Sequence, residues 1–323
     1  MGSDSGSGIR RSSFTDLPFE ILSFIAIRLP LIELLSFRGT CKYFRSASSA
    51  ATAKIESSRK PWLLFHRTND SNCLLYNKLE SKTYKRNIPD LDGAVCLASF
   101  QGWLLLFKTQ QMYFFSPFSL SKITLPEFPH KELAGHVAAF SHVPTSPNCV
   151  VSVINPTDTN QFEIHVISKG QATWTPHVVS DHKLHLTKPT VTGATYDVET
   201  ATFYYMYGES SVDSVLSFSV EDKKSRPYNI LRPGEKRGKE TKVLPYYYCE
   251  KMFHEAVGEK KTRQMEFEDV EDVCGVTLYE NSSQRVVYLN EAGNADNSAE
   301  KTRAGKAVWI QPRFYEVTQD LHW

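Results

Sequence analysis

Residues 14 to 55 carry more apolar helical surface than three short helices can bury against one another, and that surplus limits what the chain can become. Leu17, Ile21, Ile25 and Leu29 follow at four-residue steps, which stacks them on one helical ridge with Leu22 beside them. Phe24 and Ile27 fall on another face, so this helix is apolar nearly all round, with Arg28 the one charge in its second half. Thr15 and Asp16 are natural caps, Pro18 suits a first turn where its missing N–H costs nothing, and Pro30 stops the helix. Leu31, Leu34 and Leu35 predict a second helix that Gly39 ends or bends. The run Cys41 to Ala47 predicts a third, with Phe37, Cys41 and Phe44 turned inward. Each Leu, Ile or Phe left in water forfeits about 1.5–3 kcal/mol. Four or five of them match the whole stability of an ordinary domain, roughly 5–15 kcal/mol. The cover must come from the rest of the chain, from a second copy or from a dedicated partner.

The text changes near residue 60. From Pro61 onward it reads as short runs of Val, Ile, Tyr, Phe and Trp separated by Pro, Gly, Ser, Asn and Lys turns, the pattern of strands. A unit recurs in Asn77–Pro89, Ser116–Pro126, Ile164–Pro176 and Leu216–Leu231: a strand, a Ser/Lys or Gly turn, then a strand ending near a proline or tryptophan. Lys82, Lys122, Lys169 and Lys223 sit at comparable points, at intervals of roughly 40–54 residues. That period fits a propeller blade of four short strands, and irregular hairpins of a β-sandwich also write such text. The propeller is favoured. Further strands are expected at Ala94–Phe107, at Val150–Ile154 and at Val191–Tyr207, the last with a turn at Gly193-x-x-Tyr196-Asp197.

Lys and Arg number 37 against 36 Asp and Glu, a net charge of +1 without the basic surplus that a duplex-binding surface needs. Nucleic acid is therefore not an expected partner. Six cysteines stand singly at Cys41, Cys73, Cys96, Cys149, Cys249 and Cys274, with no C-x-x-C pair, which predicts free thiols in a reducing compartment. The first 13 residues are Gly/Ser-rich without an apolar run, and no stretch approaches the roughly 20 apolar residues of a membrane span. The expectation is a soluble chain of the cytoplasm and/or nucleus, with no membrane partner.

No catalytic constellation stands out. A G-x-S-x-G elbow, a phosphate-binding Gly loop and a dinucleotide fingerprint are missing from the sequence. Asp181, His182 and His185 resemble metal ligands, yet residues three apart on an extended segment face opposite ways, so a solvated loop is the better reading. Cys41 lies among apolar neighbours in the third helix, where a thiol is inert. The basic run Lys223 to Lys242 and the acidic run Glu266 to Asp272 read as solvated loops, or as an electrostatic patch for substrate or nuclear import. Tyr204–Tyr207 and Tyr246–Tyr248 read as alternating strand residues or as interface anchors. The reading is a chain that is not an enzyme, with no cofactor and no metal.

The helical segment resembles an F-box from end to end. Leu17-Pro18-Phe19-Glu20-Ile21-Leu22, Ile25, Arg28-Leu29-Pro30, Leu34-Leu35, Phe37-Arg38 and Cys41-Lys42-Tyr43-Phe44-Arg45-Ser46 follow that family's pattern in order. Pro61-Trp62-Leu63-Leu64, Ser99-Phe100-Gln101-Gly102-Trp103-Leu104, Ser116-Pro117-Phe118-Ser119 with Ile123-Thr124-Leu125-Pro126, and Val308-Trp309-Ile310-Gln311-Pro312-Arg313 are similar to a large plant family that joins an F-box to a KIB-type propeller. The resemblance implies an α+β multidomain chain: a disordered tail over 1–13, a three-helix F-box over 14–56 and an all-β domain, a β-propeller, over 57–323. It also implies that a Skp-type adaptor covers the apolar helices through Leu17, Pro18, Ile21, Leu22, Ile25, Leu29, Pro30, Leu34 and Leu35. The adaptor would link the chain to a cullin, and the β-domain would hold an unknown substrate protein for ubiquitination. The other reading is a non-degradative interaction module that recruits no cullin.

Overall fold

The computed structural model describes residues 17–57, 62–67, 70–77, 82–133, 135–157, 161–179, 190–208, 214–231, 243–245, 288–289, 295–296, 305–315 and 323. The chain forms two compact units that divide between Ser58 and Arg59.

The first unit holds four short helices: α1 (Phe19–Ala26), α2 (Leu31–Thr40), α3 (Lys42–Ala47) and α4 (Ser49–Ser57). Leu22 of α1 meets Phe44 and Ala47 of α3 in a small core, against which Leu17, Phe37 and Cys41 pack. The rings of Phe37 and Phe44 lie 4.6 Å apart. Four local expectations need correction. Pro18 is the N-cap of α1 and not its first helical residue, its carbonyl accepting from the amides of Ile21 and Leu22, while Thr15 and Asp16 lie outside the described residues. The first helix ends at Ala26, because the chain tightens there into a turn in which Arg28 N–H bonds Ile25 and Leu29 N–H bonds Ala26. Gly39 does not end α2, which runs on through Thr40. Cys41 is an extended, half-buried residue between α2 and α3.

A fourth helix replaces the expected end of the module. Ser48, fully buried, breaks the chain between α3 and α4: its hydroxyl donates to the Arg45 carbonyl (2.6 Å) and accepts from the Arg38 guanidinium (3.0 Å). Ser49 to Ile55 is then rich in alanine, whose intrinsic preference restarts the helix.

The second unit is built of strands: β1 (Trp62–Arg67), β2 (Asn72–Asn77), β3 (Lys82–Asn87), β4 (Val95–Phe100), β5 (Trp103–Lys108), β6 (Gln111–Ser116), β7 (Ser121–Thr124), β8 (Val137–Phe140), β9 (Val150–Pro156), β10 (Phe162–Ser168), β11 (Thr175–Val179), β12 (Thr190–Asp197), β13 (Thr202–Gly208), β14 (Ser214–Ser219), β15 (Ser225–Leu231), β16 (Val243–Pro245), β17 (Tyr288–Leu289), β18 (Ala295–Asp296) and β19 (Gly305–Ile310). They make three consecutive antiparallel sheets, β4 to β7, β8 to β11 and β12 to β15, the last extended by parallel β16, while β17 pairs with β18. A further sheet has the order β19-β1-β2-β3, so a strand from the end of the chain completes the sheet begun at residue 62, with Trp62 opposite Ile310 and Arg67 opposite Gly305. The leading strands β19, β4, β8 and β12 neighbour one another in turn, which is the arrangement of propeller blades around their axis.

Strand alternation explains how the blades stack. In β8, Ala138 and Phe140 face the preceding blade and join Phe114, Phe128 and Leu105 in one core, while Val137 and Ala139 face the following blade and join Phe203, Tyr205 and Phe218 in another. Both faces are buried, which is why these strands read as nearly continuous apolar runs. Two hairpins use two-residue turns with positive φ at both positions, Gln101-Gly102 and Thr109-Gln110, the twist that such tight turns require. The recurrent lysines fall close to one place in each sheet: Lys82 opens β3 and Lys122 follows the opening of β7, while Lys169 and Lys223 lie in the turns before β11 and β15. Two expectations move. Gly193 to Asp197 belongs to β12, the turn coming after Asp197, and Trp174 and Pro176 stand at the start of β11 and not at its end.

Candidate functional site

Helix α1 leaves much of its apolar surface in water. Leu22 and Ala26 point inward, while Phe19, Ile21, Phe24 and Ile25 remain exposed, Phe24 at 59% and Ile21 at 47%. Ile27 in the following turn and Tyr43 on α3 extend the patch, and the rings of Phe19 and Tyr43 meet edge to face at 5.9 Å. Arg28 caps the ridge: its Nη1 donates to the Phe24 carbonyl (2.8 Å) and its guanidinium lies 3.4 Å from the centre of the Phe24 ring. Exposed apolar side chains so concentrated on one short helix set α1 apart from the buried strands of the second unit.

The nine residues expected to dock an adaptor divide between surface and interior. Pro18, Ile21, Ile25 and Pro30 are exposed, and Leu17 and Leu29 are half-buried. Leu22, Leu34 and Leu35 are buried, since each falls on the inward face of its helix. Phe19, Phe24, Ile27 and Tyr43 share the surface and were missed, although the all-round apolar character of the first helix already pointed to Phe24 and Ile27.

A second concentration of polar groups lies in the β-unit. Glu163 and His165 alternate on β10 and so share a face, and His130 reaches them from the connection between β7 and β8. His130 Nε2 is 3.3 Å from Glu163 Oε2, and His165 Nε2 is 3.5 Å from Glu163 Oε1. His165 is 2% exposed, and burial holds its ring below the ordinary imidazole pKa against the opposing pull of Glu163. Phe128 walls the cluster, its ring edge to face with those of His136, His165 and Trp174. No sequence motif announces this group, because it depends on the strand register and on a connection some thirty residues earlier.

The other sequence candidates fall as follows. Tyr204–Tyr207 is buried within β13, a strand core and not a platform. Lys223, Lys224 and Arg226 lie at an exposed hairpin where Arg226 pairs with Asp222 (3.1 Å). Residues 232–242, the Asp181/His182/His185 segment, Tyr246–Tyr248 and the acidic run 266–272 lie outside the described residues. Among the described residues no helix is long and apolar enough to cross a membrane.

A small helical unit with an uncovered apolar helix, followed by blades closed with a late strand, defines an F-box-type module ahead of a propeller. The comparisons agree: the F-box domain family matches residues 14–50, and the KIB1-4 beta-propeller family matches residues 75–292. The latter match covers well over half of the 323 residues, and the chain belongs to the KIB1-4 beta-propeller family. It is similar to an F-box/kelch-repeat protein of Arabidopsis thaliana, 30% identical over 169 residues, 51% of this chain and 47% of that protein. It is also similar to an F-box protein of the same plant, 30% identical over 176 residues, 53% of this chain and 44% of the relative. A third, again an Arabidopsis F-box protein, is 29% identical over 122 residues, 37% of this chain and 86% of its own. The chain spans less than half the length of the first two relatives.

Proposed function

We propose that this chain is the substrate receptor of a Skp–cullin–F-box ubiquitin ligase: the helical unit docks a Skp-type adaptor, and the propeller holds a target protein for ubiquitination. The observation that carries the reading is the exposure of Phe19, Ile21, Phe24 and Ile25 on the helix of a segment matched as an F-box domain. Removing an Ile or Phe from water is worth about 1.5–3 kcal/mol, so four of them supply a strong driving force for an apolar partner. Pro18, Leu29 and Pro30 flank these residues in sequence, Leu17 and Leu22 belong to the small core beneath them, and Leu34 and Leu35 are buried on α2.

The chain itself makes or breaks no bond in this scheme. Its contribution is proximity: holding adaptor and substrate on one polypeptide turns ubiquitin transfer into an effectively intramolecular step. The relatives' names support the F-box half of the reading and leave the substrate open.

The test is co-purification of the full chain with a Skp-type adaptor and a cullin, beside an Ile21→Glu/Ile25→Glu variant. Both positions are exposed, so the variant folds, which circular dichroism checks. Capture of both partners by the wild type and of neither by the variant supports the proposal. Adaptor without cullin favours a non-degradative module, and failure of the folded wild type to bind the adaptor sinks the reading.

A further inference from the structure

We propose that His130, Glu163 and His165 form a site for one divalent transition-metal ion of the zinc class, held between the β7–β8 connection and strand β10. Two imidazoles and a carboxylate are the donor set that such ions take, and three protein ligands leave a fourth position open.

The distances are those that ligands of one ion can take. Ligand atoms bound tetrahedrally at about 2.0–2.1 Å stand roughly 3.3–3.4 Å from one another. The two nitrogen–oxygen separations are 3.3 and 3.5 Å. The three donors all lie within 4.8 Å of one another. The two imidazoles thus meet different oxygens of one carboxylate, at spacings that ligands of a single ion can take.

His165 presents Nε2 to Glu163 and keeps Nδ1 buried. That Nδ1 has no hydrogen-bond partner among the described residues. With the proton on Nε2, the Nδ1 lone pair goes unanswered. With the proton on Nδ1, that N–H goes unanswered and the Nε2 lone pair faces a carboxylate oxygen at 3.5 Å. A cation between Nε2 and Glu163 removes that repulsion and fixes the proton on Nδ1, whose N–H then needs an acceptor. Asn155, directly opposite Glu163 in the ladder and so on the same face, also has a buried Oδ1 without a partner, a polar group suited to a supporting shell.

The site is held firmly on one side and open on the other. Strand β10 lies between β9 and β11, so Glu163 and His165 are fixed by ladders on both sides. His130 and Glu163 are partly exposed, which gives an ion a way in from solvent. Binding would clasp the connection between two blades to the second of them.

The experiment is a cobalt(II) titration of the metal-stripped full chain, read by the visible absorption of tetrahedral cobalt, with zinc added as competitor and as a thermal-shift ligand. One cobalt per chain, displaced by zinc, and a zinc-dependent rise in Tm are expected. His130→Ala and Glu163→Gln should each weaken cobalt binding by at least about tenfold while the circular dichroism stays unchanged. Both side chains are partly exposed, so neither substitution empties a core. A wild type without the absorption overturns the proposal, and so does an absorption that survives both substitutions.

Discussion

Tyr315 reaches across 214 positions of sequence to donate its hydroxyl hydrogen to the Gln101 carbonyl at 2.6 Å. Its ring lies 5.1 Å from that of Trp103, and a Cβ on Gly102 would stand 2.7 Å from Arg313 Cβ and 2.8 Å from the Gln311 carbonyl. The segment after β19 is thus laid directly on the first hairpin of the next blade, and the missing side chain at residue 102 lets it lie there.

Gly102→Ala meets two penalties together, a left-handed backbone (φ +80°) and contacts below 3.0 Å with backbone and with a side-chain stem. The left-handed conformation alone costs about 1–2 kcal/mol for an L-residue. Urea denaturation should show a loss of about 2 kcal/mol or more, with Tyr315→Phe costing about 1 kcal/mol. An unchanged midpoint for Gly102→Ala would contradict the described packing.

Gly39 is the opposite case. It is helical, its φ is ordinary and no atom lies within 4 Å of an added Cβ. Gly39→Ala should stabilise α2 by about 0.5–1 kcal/mol, seen as slower hydrogen exchange of the α2 amides. Faster exchange would mean that the glycine serves a purpose the isolated helix does not reveal.

Ser152 of β9 and Tyr205 of β13 share a buried hydrogen bond between adjacent blades, and burial pushes the Tyr205 phenol well above its ordinary pKa. Ser152→Ala and Tyr205→Phe should each cost about 1–3 kcal/mol, because each strands the other hydroxyl. The double variant should cost less than the sum of the two. Strict additivity in denaturant melts would show that the hydroxyls do not depend on each other.

Burial raises the thiol of Cys73 from 9.0 to about 11 and that of Cys149 to about 12. The native state therefore holds these protons longer than the unfolded chain does. The stabilising contribution is complete below pH 9 and is lost as pH climbs through 11 to 12, so melting temperatures should fall across that window. Peptide-resolved alkylation at pH 8 should leave both thiols unmodified until denaturant is added. Rapid native labelling of either would refute its burial.

The blade repeat was legible because its marker has a local cause. Lys82, Lys122, Lys169 and Lys223 recur where each blade turns into its fourth strand, and all but the half-buried Lys169 are exposed. The apolar helix α1 was legible from four-residue spacing, but its end was not. Leu29 keeps the spacing, yet the tight turn at Ile27 to Leu29 and the grip of Arg28 on the Phe24 carbonyl close the helix earlier. Spacing also cannot tell which apolar residues face inward, so Leu22 and Ile21 looked alike although one is buried and the other exposed. The cluster of His130, Glu163 and His165 was invisible because no local pattern links a connection to a strand of the next blade.

The pairing of β1 with β19 carries a consequence for synthesis. A ribosome delivers Trp62 long before Ile310, its partner across the ladder. At about 5–20 residues per second, the roughly 250 intervening residues take on the order of 10–50 s to emerge. Throughout that interval the first sheet waits with its inner edge unpaired, a template open to any passing strand. The nascent chain therefore has its helical unit finished and its first blade incomplete, and whatever shields that edge in the cell acts before translation ends.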